Sequence, residues 1–143
     1  MGGVTGSRAA LSVVGILLSG APALAAGNLA ANGEKLELKI DTTNLKFSQN
    51  EFDLETGKYY RMDITADDGA DNLVLMMPEF WRNVWVNQIV VNDLEVKAQE
   101  LYSLEFDAAG TFNVSFVPIR PGEYEFYSPG YENKGLKGKF VVK

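Results

Sequence analysis

The sequence predicts an all-β protein with the fold of a Greek-key β-sandwich, and three observations support this prediction. About eight short segments are typical of strands, and several of them alternate between apolar and polar side chains with a period of two. Turn-forming residues separate these segments at short intervals. Little of the sequence shows helical periodicity. Half-apolar strands of this kind pack in two layers around one core, as an antiparallel sandwich or barrel with Greek-key connections.

The amino-terminal residues 1–25 are predicted to be a secretory signal peptide. Arg8 supplies a positive charge, residues 9–18 form an apolar run, and residues 23–25 read Ala-Leu-Ala, which fits the small-residue cleavage pattern. The apolar run is too short to cross a bilayer, which takes about 20 residues. We therefore expect an exported protein, periplasmic or secreted, with no membrane span in its mature chain.

One domain is predicted over residues 36–143, after a flexible lead-in of small and polar residues at 26–35. The size of this domain and the hydrophobic content of the whole chain, 46%, allow a single packed core. Four alternating aromatic residues are expected in or near that core: Phe112, Phe116, Tyr124 and Phe126. The predicted strands are residues 36–40 with a continuation at 45–47, then 52–54, 60–64, 73–77, 88–91, 101–106, 112–116, 124–127 and 139–142.

An aromatic segment at residues 79–87 interrupts the strand pattern. The spacing of Phe80, Trp81, Val84 and Trp85 permits a short amphipathic helix. These side chains could form an aromatic platform for a partner or a ligand, or they could cover one end of the sandwich core. The second interpretation is favoured, because Trp and Phe side chains bury large apolar areas.

The composition excludes several classes of function. The chain has no Cys and no His, which rules out disulfides, thiolate and imidazole metal ligands, and a Ser-His-Asp triad. No other nucleophile–base arrangement is visible, so an enzyme is not expected and no catalytic residue is named. The formal net charge of −6 disfavours nucleic acid as a partner, because nothing would neutralise the phosphates.

A turn with three carboxylates is predicted at residues 66–72. Asp67, Asp68 and Asp71 could attract a hard cation such as calcium. Their spacing does not match an EF-hand loop, which also needs a Glu near its end. A solvated turn is the simpler interpretation.

The final loop of the chain has the spacing of a known copper-binding loop. The sequence between the last two predicted strands reads Phe126-Tyr127-Ser128-x-x-Tyr131-x-x-x-x-Leu136-x-Gly138. This resembles the cupredoxin pattern F-Y-C-x-x-H-x-x-x-x-M-x-G in loop length and in flanking residues. The resemblance implies a cupredoxin-like β-sandwich.

The resemblance extends over nearly all of the predicted domain. It is similar to periplasmic cupredoxins, including the domain attached to EfeO-type iron-uptake proteins. Residues 60–62, Tyr-Arg-Met, precede a loop in which Asn72 occupies the position of the first His ligand. Residues 77–80 resemble the A-P-E-F segment of that family, and residues 116–124 resemble its F-V-P-x-x-P-G-x-Y segment.

The positions that match the copper ligands are Asn72, Ser128, Tyr131 and Leu136. A type 1 copper site needs a thiolate, two imidazoles and usually a thioether, and none of these four side chains supplies one. The resemblance therefore implies a cupredoxin scaffold whose metal chemistry has been removed, with no cofactor and no metal. The spacing of the four positions predicts that their side chains still converge at one end of the sandwich.

Two functions of different classes remain. The first is a metal-free binding or interaction module, whose partner would be a periplasmic protein, such as a redox enzyme, or a membrane complex. The second is a metal-handling or electron-transfer-associated protein with non-standard ligands. Adjacent Met76 and Met77 would face opposite sides of a strand, which weakens a shared Cu(I) site. The candidate ligands are Met62, Met76 and Met77 for Cu(I), or Asp67, Asp68, Asp71 and Glu132 for iron or calcium.

Overall fold

The computed structural model describes residues 1–3, 29 and 32–143 of the chain. The predicted signal peptide at residues 1–25 lies almost wholly outside the described residues, as does half of the predicted lead-in at 26–35. Within the described part, no helix is long and apolar enough to cross a membrane.

Two β-sheets and one short helix make up the described domain, so the predicted all-β sandwich is confirmed. The helix α1 spans Pro78–Trp81, and a single 3-10 turn covers Glu132–Lys134. The strands are β1 Glu34–Asp41, β2 Lys46–Phe47, β3 Glu51–Leu54, β4 Tyr60–Ala66, β5 Leu73–Met76, β6 Val84–Val91, β7 Leu94–Val96, β8 Ser103–Phe106, β9 Gly110–Pro118, β10 Gly122–Tyr127 and β11 Lys137–Val142.

The prediction of purely antiparallel sheets is wrong in two places. The first sheet has the order β2-β1-β4-β9-β6-β7, and the second has the order β3-β11-β10-β5-β8. β1 pairs with β4 in parallel, and β11 pairs with β3 in parallel. The chain leaves the first sheet after β2, runs back along the second sheet as β3, and re-enters the first sheet in the direction of β1. The return path through the other sheet therefore makes β1 and β4 parallel.

The aromatic segment forms less helix than its spacing predicts. Helix α1 begins at Pro78, whose missing N–H is harmless in a first turn, and it ends at Trp81. Val84 and Trp85 already belong to β6. Phe80 and Trp81 are buried, as the core-cover interpretation requires, whereas Trp85 is 45% exposed on the outer face of the first sheet. The four residues therefore do not form one aromatic platform.

A cluster of aromatic rings fills the space between the sheets. Phe80 stacks on Phe140 with ring centroids 4.0 Å apart, and it meets Phe116 edge to face at 5.3 Å. Phe126 packs against Phe140 at 5.0 Å and against Phe47 at 5.3 Å. Of the four predicted core aromatics, Phe116, Tyr124 and Phe126 are buried, and Phe112 is partly buried against the core.

Replacing the buried tyrosine Tyr60 with Phe should make the protein less sensitive to alkali. Burial raises the pKa of the Tyr60 phenol above its ordinary value, although the hydrogen bond from Glu55 N at 2.8 Å opposes this shift. The phenol therefore ionises in the unfolded chain at a lower pH than in the folded chain. Stability is lost as the pH rises past about 10. Tyr60→Phe should flatten this fall in unfolding free energy, measured by urea denaturation at several pH values.

The matched control for this prediction is Tyr102→Phe, because the Tyr102 side chain is 65% exposed. It should leave the alkaline fall as steep as in the wild-type chain. An equally steep fall in Tyr60→Phe would contradict the assignment of this pH dependence to Tyr60.

Candidate functional site

The loop between β10 and β11 is held closed by its own backbone. Ser128 N donates to Leu136 O at 3.0 Å, and Leu136 N donates to Tyr131 O at 3.2 Å. Tyr131 N donates back to Ser128 O at 3.0 Å. The 3-10 turn lies inside the ring that these bonds form. The three candidate positions of this loop are thus fixed relative to one another by main-chain bonds, whatever side chains they carry.

The loop lies beside the start of β5 because β5 and β10 are neighbouring strands. Met76 pairs with Tyr127 in an antiparallel ladder, so the residues before β5 rise next to the residues that follow β10. Asn72 adopts a φ of +52°, a left-handed conformation that Asn tolerates better than most residues. Its side-chain amide donates to Asp71 Oδ1 at 2.8 Å.

Three of the four candidate positions line one pocket of about 300 Å³ at this end of the sandwich, here called the loop-end pocket. Asn72 is exposed at its rim, Tyr131 is 38% exposed, and Ser128 is only 2% exposed. The remaining wall is apolar and consists of Leu73, Val74, Met76 and Pro129.

Leu136 differs from the other three positions. Its side chain is 0% exposed and belongs to the hydrophobic core, and it does not line the loop-end pocket. The backbone of Leu136 still closes the loop through Ser128 and Tyr131. The structure therefore brings Asn72, Ser128 and Tyr131 to one cavity and places Leu136 in the core.

The side chains at these positions do not fit a type 1 copper ion. An amide, a hydroxyl, a phenol and an alkyl group provide no thiolate, no imidazole and no thioether. The hydroxyl of Ser128 is a hard, neutral donor. The pocket is better suited to an apolar group that forms one or two hydrogen bonds at its polar rim.

The methionines do not supply a substitute site. Met62 and Met77 are 0% exposed within the core, whereas Met76 lines the loop-end pocket. Met76 and Met77 thus point to opposite sides, as expected for neighbours in extended chain. A Cu(I) site shared by these three sulfur atoms is not formed.

One carboxylate of the acidic turn, that of Asp67, is held by hydrogen bonds from Thr42 and from the turn's own backbone. Asp67 accepts hydrogen bonds from the Thr42 hydroxyl, from Thr42 N and from Gly69 N. These donors, the Thr42 hydroxyl first, hold the pKa of the Asp67 carboxyl below its ordinary value. Asp68 and Asp71 are exposed, and Glu132 opens the 3-10 turn. No group of three or more His, Cys, Asp or Glu side chains in the described part of the chain is placed to hold a metal ion.

The sequence analysis missed the apolar wall of the loop-end pocket. Val74, Met76 and Pro129 follow no motif, and they meet only because β5 pairs with β10. The run of turn-forming residues at 128–130 signals the loop, but nothing local signals which strand lies beside it. Pairing between distant strands decides that point.

The closed loop depends on a close backbone approach at Gly138, next to its base. A Cβ atom there would overlap the Phe126 ring and would lie 2.6 Å from Asn50 O. Gly138→Ala should therefore lower the unfolding free energy by about 1–3 kcal/mol, the usual cost of overpacking. Thermal and urea denaturation measure the loss. Gly110→Ala is the control, because a methyl group at that position would have no atom within 4 Å; an equal loss there would refute the steric explanation.

Comparisons with known proteins identify the fold and not the function. No protein-family model matches the sequence, and no curated protein matches it. Among solved structures, auracyanin from the photosynthetic bacterium Roseiflexus castenholzii is similar, with a TM-score of 0.51 and 19% identity. The match covers 79% of this chain and 99% of the auracyanin chain.

Multicopper oxidases are also similar in structure. The enzyme from Pediococcus acidilactici gives a TM-score of 0.57 at 9% identity, over 88% of this chain and 29% of the oxidase. The laccase-like multi-copper oxidase CueO from Ochrobactrum sp. gives 0.59 at 11% identity, over 82% of this chain and 32% of the oxidase. The chain thus spans about a third of these oxidases, in agreement with a single cupredoxin-like domain.

These likenesses establish that the chain has a cupredoxin-like β-sandwich fold. Identities this low carry no statement about activity. The closer similarity to the domain of EfeO-type proteins, and the correspondence of Asn72, Ser128, Tyr131 and Leu136 to copper ligands, stay predictions from the sequence.

Proposed function

We propose that this protein is an exported cupredoxin-like binding module that has lost type 1 copper and now uses the loop-end pocket for a protein partner. One observation supports the proposal above the others. The loop that resembles the copper loop has the length of the family pattern and is closed by three backbone hydrogen bonds, and the positions that match ligands carry no thiolate, imidazole or thioether. An ordered loop backbone without metal-binding side chains favours the binding of a partner over electron transfer.

The surroundings of the loop-end pocket favour a particular kind of partner surface. Asp71 precedes the pocket, and Asp107 follows β8, whose end pairs with the start of β5; both carboxylates are exposed. Lys134 Nζ lies 5.1 Å from the centroid of the Tyr131 ring, so charges of both signs surround the pocket. An apolar side chain surrounded by polar and charged residues would complement this surface. The partner in this proposal is a protein of the periplasm or of a membrane complex, as the signal-peptide pattern of residues 1–25 suggests.

We propose a binding role and not a catalytic one. Ser128 is buried at the pocket, but no histidine exists in the chain to activate its hydroxyl. The acidic side chains close to the pocket are occupied in turn contacts or point to solvent.

Copper loading tests the metal-free half of this proposal. The purified protein, incubated with excess Cu(II) and washed with a chelator, should retain no stoichiometric copper and show no blue colour, because it lacks every strong copper donor. Elemental analysis measures the retained metal. One tightly held copper ion per chain would overturn the proposal and point to methionine or amino-terminal ligands.

Site-specific photo-crosslinking in the expressing cell tests the binding half. A photoreactive residue in place of Tyr131 should yield a defined crosslink to a second protein. The control is the same residue in place of Ile119, which is 59% exposed at the opposite end of the sandwich, after β9. Equal crosslinking from both positions, or none from Tyr131, would contradict the assignment of the loop-end pocket as the binding surface.

A further inference from the structure

The first sheet ends in a β-hairpin whose outer strand is uncovered. β6 and β7 are joined by Asn92 and Asp93, which both adopt positive φ, 47° and 64°. This is the geometry of a two-residue type I′ turn, which fixes the hairpin register. β7 pairs with β6 on one side, and no strand of the described part of the chain lies on its other side. Within the described residues, β7 is thus a free edge strand of the first sheet.

The side chains of this edge are unusually apolar for their exposure. Leu94 and Val96 lie opposite Val91 and Ile89, on the face of the first sheet that is turned to the core. Ile89 is buried, but Leu94 is 72% exposed and Val96 is 51% exposed, so the second sheet does not cover them. Natural edge strands are usually protected against pairing by shortness and by charged side chains. β7 is short and has Glu95 at its centre, but its core-side face carries two exposed apolar side chains.

The backbone of the edge can accept another strand. In a two-residue hairpin the residues that flank the turn, Val91 and Leu94, exchange both of their hydrogen bonds. Bonded and non-bonded pairs alternate along the ladder, so Val96 also bonds to β6. Glu95 therefore directs its N–H and C=O groups away from β6. β7 ends at Val96, and continuing the ladder by one residue in the same register directs the N–H and C=O groups of Lys97 the same way. The Lys97 side chain reaches β6, where its Nζ donates to Gln88 Oε1 at 2.6 Å.

We propose that β7 is a self-complementary edge through which two copies of this chain form an antiparallel, two-fold dimer. With Val96 on the two-fold axis, Glu95 of one copy lies opposite Lys97 of the second copy, and the reverse pair follows by symmetry. The outward backbone groups of both residues then meet in hydrogen-bonded pairs. Val96 packs against Val96 of the second copy.

The charges select this register among those that the backbone allows. An axis at Glu95 places Glu95 opposite its own copy, and an axis at Lys97 does the same for Lys97. Only the axis at Val96 gives opposite charges at both outward positions. Glu95 and Lys97 are already paired within the chain at 3.2 Å, so the dimer joins them in a ring of four alternating charges. No residue of β7 lines the loop-end pocket.

Analytical ultracentrifugation tests this proposal. The sample is the protein expressed from the whole sequence and purified as the cell processes it. At about 0.15 M salt, which screens the net charge of −6, the mass should rise from one chain to two as concentration increases. Glu95→Lys and Lys97→Glu should each raise the dimer dissociation constant about tenfold or more. In each variant, residues 95 and 97 carry the same charge and face each other in both symmetry-related pairs of the dimer. An equimolar mixture of the two variants should recover the dimer, since Lys at 95 then faces Glu at 97.

The control is Glu51→Lys, at an exposed carboxylate on β3, the edge strand at the other end of the second sheet from β8. It should dimerise like the wild-type chain. All substituted positions are exposed, and thermal denaturation checks that each variant is folded. A wild-type chain that stays monomeric at every concentration, a mixture that fails to recover the dimer, or a dimer lost only in Glu51→Lys would overturn the proposal.

Discussion

A variant with four substitutions at the loop end should be a blue copper protein. The substitutions are Asn72→His, Ser128→Cys, Tyr131→His and Leu136→Met. The wild-type chain should stay colourless under the same conditions. The change supplies a thiolate, two imidazoles and a thioether at the four positions that match copper ligands. A metal site also needs a backbone that holds its ligands in place before the ion arrives.

The structure favours such preorganisation at three of the four positions. The loop that carries Ser128 and Tyr131 is closed by main-chain hydrogen bonds that do not depend on the replaced side chains. Asn72 lies on the same pocket, and its positive φ suits His, which is among the residues tolerated there. Leu136 is the position on which the outcome depends most. Its side chain lies in the core, so a Met at this position must reach the pocket from the core side.

Visible absorption and elemental analysis after Cu(II) loading measure the outcome. The control variant carries only Asn72→His, Tyr131→His and Leu136→Met, so it retains the Ser128 hydroxyl and should not turn blue. A quadruple variant that is folded but binds no copper would show that the backbone geometry of the site has been lost together with its ligands.

Phe80→Ala should be among the most destabilising single substitutions in the domain, with a loss of about 3–5 kcal/mol of unfolding free energy. The Phe80 side chain is 0% exposed and contacts aromatic residues of both sheets. It stacks on Phe140 of β11 at 4.0 Å and meets Phe116 of β9 at 5.3 Å. Removing the ring leaves a cavity that two rigid sheets cannot close.

Urea denaturation measures this loss, and Tyr102→Ala is the matched control. Tyr102 has an aromatic side chain of similar size, but it is 65% exposed, so its removal should change the unfolding free energy by about 0.5 kcal/mol or less. Similar losses in the two variants would contradict the central position of Phe80 in the core.

The sequence by itself determined the elements of this protein and the chemistry of its loop end. Period-two alternation located nearly every strand, because a strand with one buried face must alternate. The absence of Cys and His decided the donor set in any conformation. The strand β7 was missed, because Leu94–Val96 is too short to show a period and its side chains are exposed.

Only the tertiary structure decided which elements meet. No local sequence pattern predicts the parallel pairs β1–β4 and β3–β11. The same is true of the separation of buried Trp81 from exposed Trp85 and of the shared pocket of Asn72 and Ser128. The side-chain pattern of a strand predicts which residues are buried, but it does not predict which strand they pack against. That choice follows from how the whole chain closes two sheets over one core, because burial is shared among residues that are distant in sequence.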